Sequence, residues 1–470
     1  MSNSFERLNE WVRTSVTIRM LSVAILVLLL LIPASMIESL VRERSGRQAR
    51  VIEEISRTWS GAQTVAGPVL SIPYVTYDRT ADDRTVTTKR WAHFLPTTHD
   101  VEVQLDPETR RRALYEAVVY RADLRFRGSF AAPDFAALNI DPATVRLPEA
   151  VVTVGLTDMR GIEEEIELGW NDEGLRFDAG LDVRQVLPEG VSTRVPITPG
   201  DTAYLYAFDL KLRGSQALDF VPVGRETNVS VRSVWATPSF VGAFLPEVRT
   251  VSDSGFTARW RVLHLNRTYP QQWRGEAYRL VGGGVRPRYR TDVEGMAEPT
   301  ASGGGGGATF GVNLLLPVDP YQKTTRVAKY AVMLIALTFV TFFFVEIMTR
   351  RNIHPIQYIL VGLALCVFYT LLLSLAEQIG FDGAYLVAMG ATVGLITAYV
   401  GGVFRSPRLT ALMAGILLVL YGFIWVVLQL EDYALLLGSV ALFVLLAVLM
   451  YLTRRIDWYR FGKQHGRPEA

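Results

Sequence analysis

Glu346 is a carboxylate inside an otherwise apolar run, AVMLIALTFVTFFFVEIMT, and Arg350 follows it four residues later. An ionisable residue in such a run is costly in lipid and usually has a partner. Acid before base at i, i+4 is the favourable order on a helix. The spacing therefore predicts a helix-end ion pair with Arg350 reaching the interface, and a proton-transfer or substrate role competes with it. His354 lies in the adjoining polar stretch RRNIHPIQY (350–358), directly before Pro355. The residue before a proline is pushed out of the helical region, and proline suits the first turn of a helix. His354 is thus predicted as a boundary or cap, with a cytoplasmic contact or pH sensing as the sharper alternative. A third constellation is acid against base at the other membrane face. YQKTTRVAKY supplies Lys323, Arg326 and Lys329, and two short loops supply Glu377, Asp382, Glu431 and Asp432. At similar depth these charges predict a collar that seats an exported domain on the membrane block, with Lys329 and Glu377 as the pair to test.

Other chemistry finds little support. There is no G-x-S-x-G elbow and no H-E-x-x-H. None of the five histidines stands at helical ligand spacing from another. His93 and His99 flank FLP in a strand–turn region, and EEEIE (163–167) reads as a solvated strand edge or turn. SGGGGGATFG (302–311) lacks the lysine of a phosphate-binding loop and reads as a flexible loop. The single cysteine, Cys366, sits among apolar residues, which excludes an intramolecular disulfide and a cysteine-based metal site. No catalytic residue, cofactor or metal is expected, and the chain reads as a non-enzyme.

The elements that position these residues come from hydropathy. Half the chain is hydrophobic, 20% is charged, and the mean hydropathy is +0.22. That is too apolar for a soluble protein and too charged for one wholly in lipid. A net charge of +2 gives no reason to expect a nucleic-acid partner; the bilayer is the implied one. Six segments reach the roughly 20 apolar residues of a membrane span: 20–41, then 328–348, 355–376, 383–402, 409–428 and 433–452. The first has a basic flank and a poor cleavage site, so an uncleaved signal anchor is expected.

Arginine and lysine in short loops set orientation. Arg350 and Arg351 occupy one loop, Arg405 and Arg408 another, and five basic residues the tail, while EQIGFD and QLED hold none. Both termini are therefore expected in the cytoplasm, although Arg42, Arg44, Arg47 and Arg50 follow the first span on the exported side. The predicted order is a cytoplasmic N-terminus (1–19), the first span (20–41), an exported β-rich domain (42–326), a five-helix transmembrane block (327–453) and a cytoplasmic tail (454–470).

Within the exported segment, Val51, Ile55 and Trp59 form a helical stripe that continues the first span. Beyond Gly61 the period becomes two. Tyr120, Ala122, Leu124 and Phe126 alternate with Arg121, Asp123, Arg125 and Arg127; Tyr204, Tyr206, Phe208, Leu210 and Leu212 share a face. Val229 with Val231, and Ala258 with Trp260 and Val262, repeat the pattern. Half-buried strands punctuated by Pro and Gly turns predict a mainly antiparallel, sandwich-like domain of one or two lobes. Gly390, Gly394 and Gly401 are spaced for close helix packing.

The membrane block from KYAVMLIALTF to GAYLVA resembles the CreD family of bacterial inner-membrane proteins. So do GPVLSIPY (67–74), HFLP (93–96), PSFVGAFLPE (238–247) and the ending ALLLGSVALFVLLAVLMYLTRRIDWY; DMRG (158–161) departs from the family's D-A-R-G by one residue. The resemblance implies an inner-membrane location and a role in cell envelope integrity, envelope stress, colicin tolerance and the β-lactam response. It implies no catalytic residue or ligand. The resulting expectation is a six-helix inner-membrane protein with a large periplasmic β domain that binds or scaffolds a periplasmic or envelope protein or glycan. A transporter or channel component with a cargo-binding domain is the main alternative, and an enzyme acting on envelope lipid or glycan a third.

Overall fold

Alternation of apolar and polar residues forces strands to bury one face, and the long alternating stretches here do so against each other. A computed structural model describes residues 16–79, 85–184, 186–280, 308–314, 320–349, 354–430 and 433–454. It divides into two units, Arg50–Pro317 and Met1–Ala49 with Val318–Ala470.

The first unit is a β sandwich. Its strands in chain order are β1 (Gln63–Arg79), β2 (Thr85–Phe94), β3 (Thr98–Arg112), β4 (Tyr115–Ala131), β5 (Val151–Leu156), β6 (Glu167–Trp170), β7 (Glu173–Arg176), β8 (Asp178–Ala179) and β9 (Gly190–Arg194). They continue with β10 (Ala203–Ser215), β11 (Ala217–Phe220), β12 (Glu226–Ser233), β13 (Pro238–Gly242), β14 (Val248–Ser252), β15 (Gly255–Leu263), β16 (Gln272–Arg274) and β17 (Phe310–Leu314). One sheet runs β13-β17-β11-β1-β5-β9-β8, with β2 and β16 branching from β1; the other runs β14-β15-β12-β3-β4-β10-β6-β7. Leu70, Ile72, Val152 and Val154 from the first sheet share one core with Val103, Tyr120, Phe126, Tyr206, Phe208 and Trp260 from the second. The sequence left one or two lobes open, and this common core makes one sandwich. Two joints are parallel, β1 with β11 and β3 with β12; the remaining pairings are antiparallel.

The outward residues of β3, β4 and β10 carry matched charge. Register sets Asp100 opposite Arg127, Glu102 opposite Arg125 and Asp106 opposite Arg121. On the other side of β4, Arg125 faces Asp209 and Asp123 faces Lys211. Opposite charges directly across a ladder support the pairing.

The second unit is helical: α1 (Val16–Trp59), whose last ten residues belong to the sandwich unit, then α2 (Pro320–Lys329), α3 (Ala331–Thr349), α4 (Pro355–Ile379), α5 (Phe381–Phe404), α6 (Pro407–Gln429) and α7 (Ala434–Thr453). Four of these, α1, α4, α5 and α6, are long and apolar enough to cross a membrane. The expected second span is broken, since α2 and α3 meet at a 42° bend and qualify only as a pair. Within α7 the apolar stretch is Leu436–Val448, shorter than a span among the described residues. Glycine packing also differs from expectation. A side chain at Gly390 or Gly394 would meet nothing within 4 Å among the described residues, while one at Gly401 would touch Thr410 of α6 at 3.5 Å. Close approach falls instead at Gly362, where an added Cβ would lie 2.1 Å from Leu30 of α1.

Candidate functional site

Of the residues singled out for chemistry, Glu346 keeps its carboxylate inside the helical unit, only 4% exposed. It accepts a 2.8 Å hydrogen bond from the Tyr358 hydroxyl on α4. Tyr358 is itself held edge-on by Phe339, with ring centroids 5.4 Å apart. A hydrogen bond of this kind is how a buried polar side chain is tolerated. The partner expected from spacing, Arg350, lies outside the described residues.

His354 is the N-cap of α4. Its Nδ1 accepts from the Ile356 N–H at 3.4 Å, the Gln357 side chain accepts from the His354 N–H at 3.3 Å, and Pro355 opens the helix. Side-chain acceptance of an orphan helix N–H is a capping function. At the opposite ends of the helices, Glu377 faces Arg44 of α1 at 3.8 Å, Asp382 accepts from Gln429 at 3.0 Å, and Lys323 lies 5.5 Å from the centre of the Phe381 ring. Lys329 closes α2 at the bend and is exposed. Charge of both signs does gather at one end of the helical unit, with Arg44 as a member that spacing did not suggest. Glu431 and Asp432 lie outside the described residues.

Two of the three histidines of the sandwich, His93 and His99, are interior. His99 donates or accepts through Nδ1 with the Tyr206 hydroxyl at 2.7 Å and stacks on Phe126. Burial drives its pKa down to about 3, so it is neutral. Gly128 makes this arrangement possible, because a Cβ there would lie 2.4 Å from the Tyr206 oxygen. His93 contacts Ser71 at 2.9 Å. A serine beside a histidine suggests a nucleophile, but both are at most 1% exposed, so no substrate reaches them.

The densest polar constellation was not singled out from the sequence. It gathers where α1 ends. The Trp59 indole donates to the Tyr120 carbonyl at 3.4 Å, and the guanidinium groups of Arg110, Arg213 and Arg121 lie 4.3, 5.1 and 5.6 Å from its ring centre. Cation–π contact of this kind favours the arginines over the ring face. Glu163, from the EEEIE run, sits 3.4 Å from Arg121 and 3.3 Å from Arg213.

Arg160 then donates to the Arg57 carbonyl at 2.8 Å, satisfying one of the open carbonyls at the helix end. Its remaining nitrogens grip Asp158 at 2.9 and 2.7 Å, and the same carboxylate accepts from the Gly61 N–H at 3.0 Å. The hydrogen bonds from Arg160 lead in holding the Asp158 pKa down to about 2. Beneath them the buried Gln63 amide donates to Ser60 Oγ and to the carbonyls of Asp158 and Arg213 at 3.0, 2.8 and 3.1 Å. Gly161 leaves room for this, since a Cβ there would meet the Arg213 carbonyl at 2.4 Å. These charges are matched by neighbours, so the arrangement fastens a helix end and has no free acid or base to do chemistry with. Its members come from four separate stretches, 57–63, 110–121, 158–163 and Arg213, with Gln63 reaching 95 and 150 residues along the chain.

Elsewhere an open cleft of about 600 Å³ beside β8 and β9 is lined by Asp178, Asp182, Arg184 and Arg194 with Ser192 and Thr193. Among the described residues no group of three or more His, Cys, Asp or Glu side chains is placed to hold a metal ion.

The sequence as a whole matches a known family. The family model "Inner membrane protein CreD" matches residues 15–459. The Inner membrane protein CreD of Escherichia coli (strain K12) is 35% identical over 451 residues, covering 93% of this chain and 92% of the relative. The chain belongs to the CreD family. It is accordingly a multi-pass protein of the inner membrane. Three of the sequence blocks that carry the CreD resemblance now have places: DMRG grips the end of α1, HFLP contains the buried His93, and PSFVGAFLPE leads from β13 to β14. Two structures of an M1 zinc metallopeptidase from Deinococcus radiodurans match 36% of the chain at 12% and 10% identity. They reach TM-scores of only 0.18 and 0.17, and this chain spans 39% and 38% of them.

Proposed function

We propose that this protein supports cell envelope integrity as a non-enzymatic scaffold: six spans, both termini cytoplasmic, and the sandwich displayed in the periplasm to bind an envelope protein or glycan. One observation carries the reading. α1 runs unbroken from an apolar span into the sandwich unit and is fastened there by Trp59, Asp158, Arg160 and Gln63. Such an element serves a domain that is to be held at a membrane. The confinement of arginine to alternate short loops supports the orientation, and the broad charged face of β3, β4 and β10 supports a binding role. The apolar run 433–452 supports the sixth span.

Two measurements test this. In a Cys366→Ala background, a cysteine replacing Asp172 is expected to react with a membrane-impermeant maleimide from the periplasmic side, and one replacing Ser406 only after the inner membrane is opened. The reverse pattern would overturn the orientation. Photo-crosslinking residues at positions 123, 125 and 209 are expected to capture an envelope component in living cells; recovery of none would overturn the scaffold role.

A further inference from the structure

Five strands end the two sheets, and four are guarded. β7 carries Glu173 and Arg176 on four residues, β8 has two residues, β16 has three and ends on Arg274, and β13 opens with Pro238. Short length, charge and proline are the usual protections of a sheet edge. β14 differs. All five of its residues are exposed, its valines Val248 and Val251 by 59% and 49%, and it pairs with β15 alone among the described residues.

Its register decides which groups are offered. The β14–β15 hairpin closes on Ser252 opposite Gly255 across Asp253 and Ser254. The closing pair of a two-residue hairpin is hydrogen-bonded, and bonded pairs alternate along an antiparallel ladder. Val248, Thr250 and Ser252 therefore address β15, while Arg249 and Val251 turn their backbone N–H and C=O outward. The Arg249 guanidinium lies 5.9 Å from the centre of the Phe240 ring, and neither Arg249 nor Asp253 has an ion pair among the described residues.

We propose that β14 pairs with β14 of a second copy of this chain, antiparallel and two-fold symmetric about Val251. That register places Val251 on Val251 and Thr250 opposite Ser252, and brings Arg249 alongside Asp253, the first residue of the turn, in both directions. The neighbouring registers are worse. A two-fold at Thr250 sets Glu247 opposite Asp253, and one at Arg249 stacks Arg249 on itself; like charges directly opposite destabilise a pair. The charge pattern thus selects both the occupant and its alignment. The inference does not depend on which side of the membrane the sandwich occupies.

The test uses the full chain in isolated membranes, carrying Cys366→Ala. Val251→Cys is expected to give a disulfide-linked dimer on mild oxidation, because the bonded pair sets Cα atoms about 5.5 Å apart, within disulfide range. Asp172→Cys, at the β6–β7 turn, is expected to give none. Adding Arg249→Asp or Asp253→Arg to Val251→Cys is expected to lower the dimer yield about tenfold, and both together to restore it. The proposal is overturned by a monomer with Val251→Cys, by yields indifferent to the charge changes, by a double reversal that does not recover, or by cross-links to a protein of another mass. Val251 is exposed, so its replacement leaves the core intact.

Discussion

The Tyr358 hydroxyl is one of the groups that hold Glu346 where it lies. Tyr358→Phe removes the 2.8 Å donor from a buried carboxylate. The expected cost is about 1–3 kcal/mol, read as a lower melting temperature of the detergent-solubilised chain. Combining it with Glu346→Leu is expected to recover part of the loss, since replacing both partners of a buried hydrogen bond by apolar groups can be nearly neutral. His99 gives the sandwich a pH dependence of definite sign. Its folded pKa of about 3 lies below the ordinary 6.5. The folded state favours the neutral ring, so this stability is fully present above pH 6.5 and is lost as pH falls toward 3. Denaturant titrations followed by tryptophan fluorescence are expected to show stability falling across that window, with the slope reduced in His99→Gln. An unchanged slope would place the pH dependence elsewhere.

At the scale of elements, the end of α1 and the grip on it stand or fall together. Arg160→Ala removes the bond to the Arg57 carbonyl and the partner of Asp158, and amide exchange over the last turn of α1 is expected to quicken. Gly161→Ala drives a Cβ to 2.4 Å from a backbone carbonyl that cannot swing away, with an expected loss of about 1–3 kcal/mol. Ordinary stability in that variant would show that the carbonyl yields. The elements themselves were largely legible. Period two placed Tyr120, Leu124, Tyr206, Phe208 and Trp260 in the core, where each is buried. The stripe Val51, Ile55, Trp59 correctly extended α1, and Pro355 marked where α4 begins. Other features were illegible for physical reasons. The α1 grip is built from Ser60, Asp158 and Arg213, whose proximity exists only after three strands are in place. Glycine spacing in α5 marked a packing face, while the close approach is at Gly362, where spacing gives no repeat. The bend between α2 and α3 falls inside what hydropathy averages into one span.

At the scale of the molecule, a sandwich with its own core and a bundle with its own core share one chain. Units with separate cores need not melt together. Calorimetry of the full chain in detergent is expected to show two transitions, of which the one tracked by His99→Gln moves with pH between 6.5 and 3. A single transition moving as a whole would show that the two unfold as one.

The two parallel joints have a consequence for how the protein is made. β3 waits for β12, with Asp100 meeting Asn228 across 128 residues. β11 waits in turn for β17, whose last residue is Leu314. At ribosomal speeds of about 5–20 residues per second, the stretch from β1 to β17 takes roughly 10–50 s to emerge. For that interval β3 lacks its edge partner β12, and then β11 lacks β17. The last helices can leave the ribosome only after every strand of the sandwich has been made.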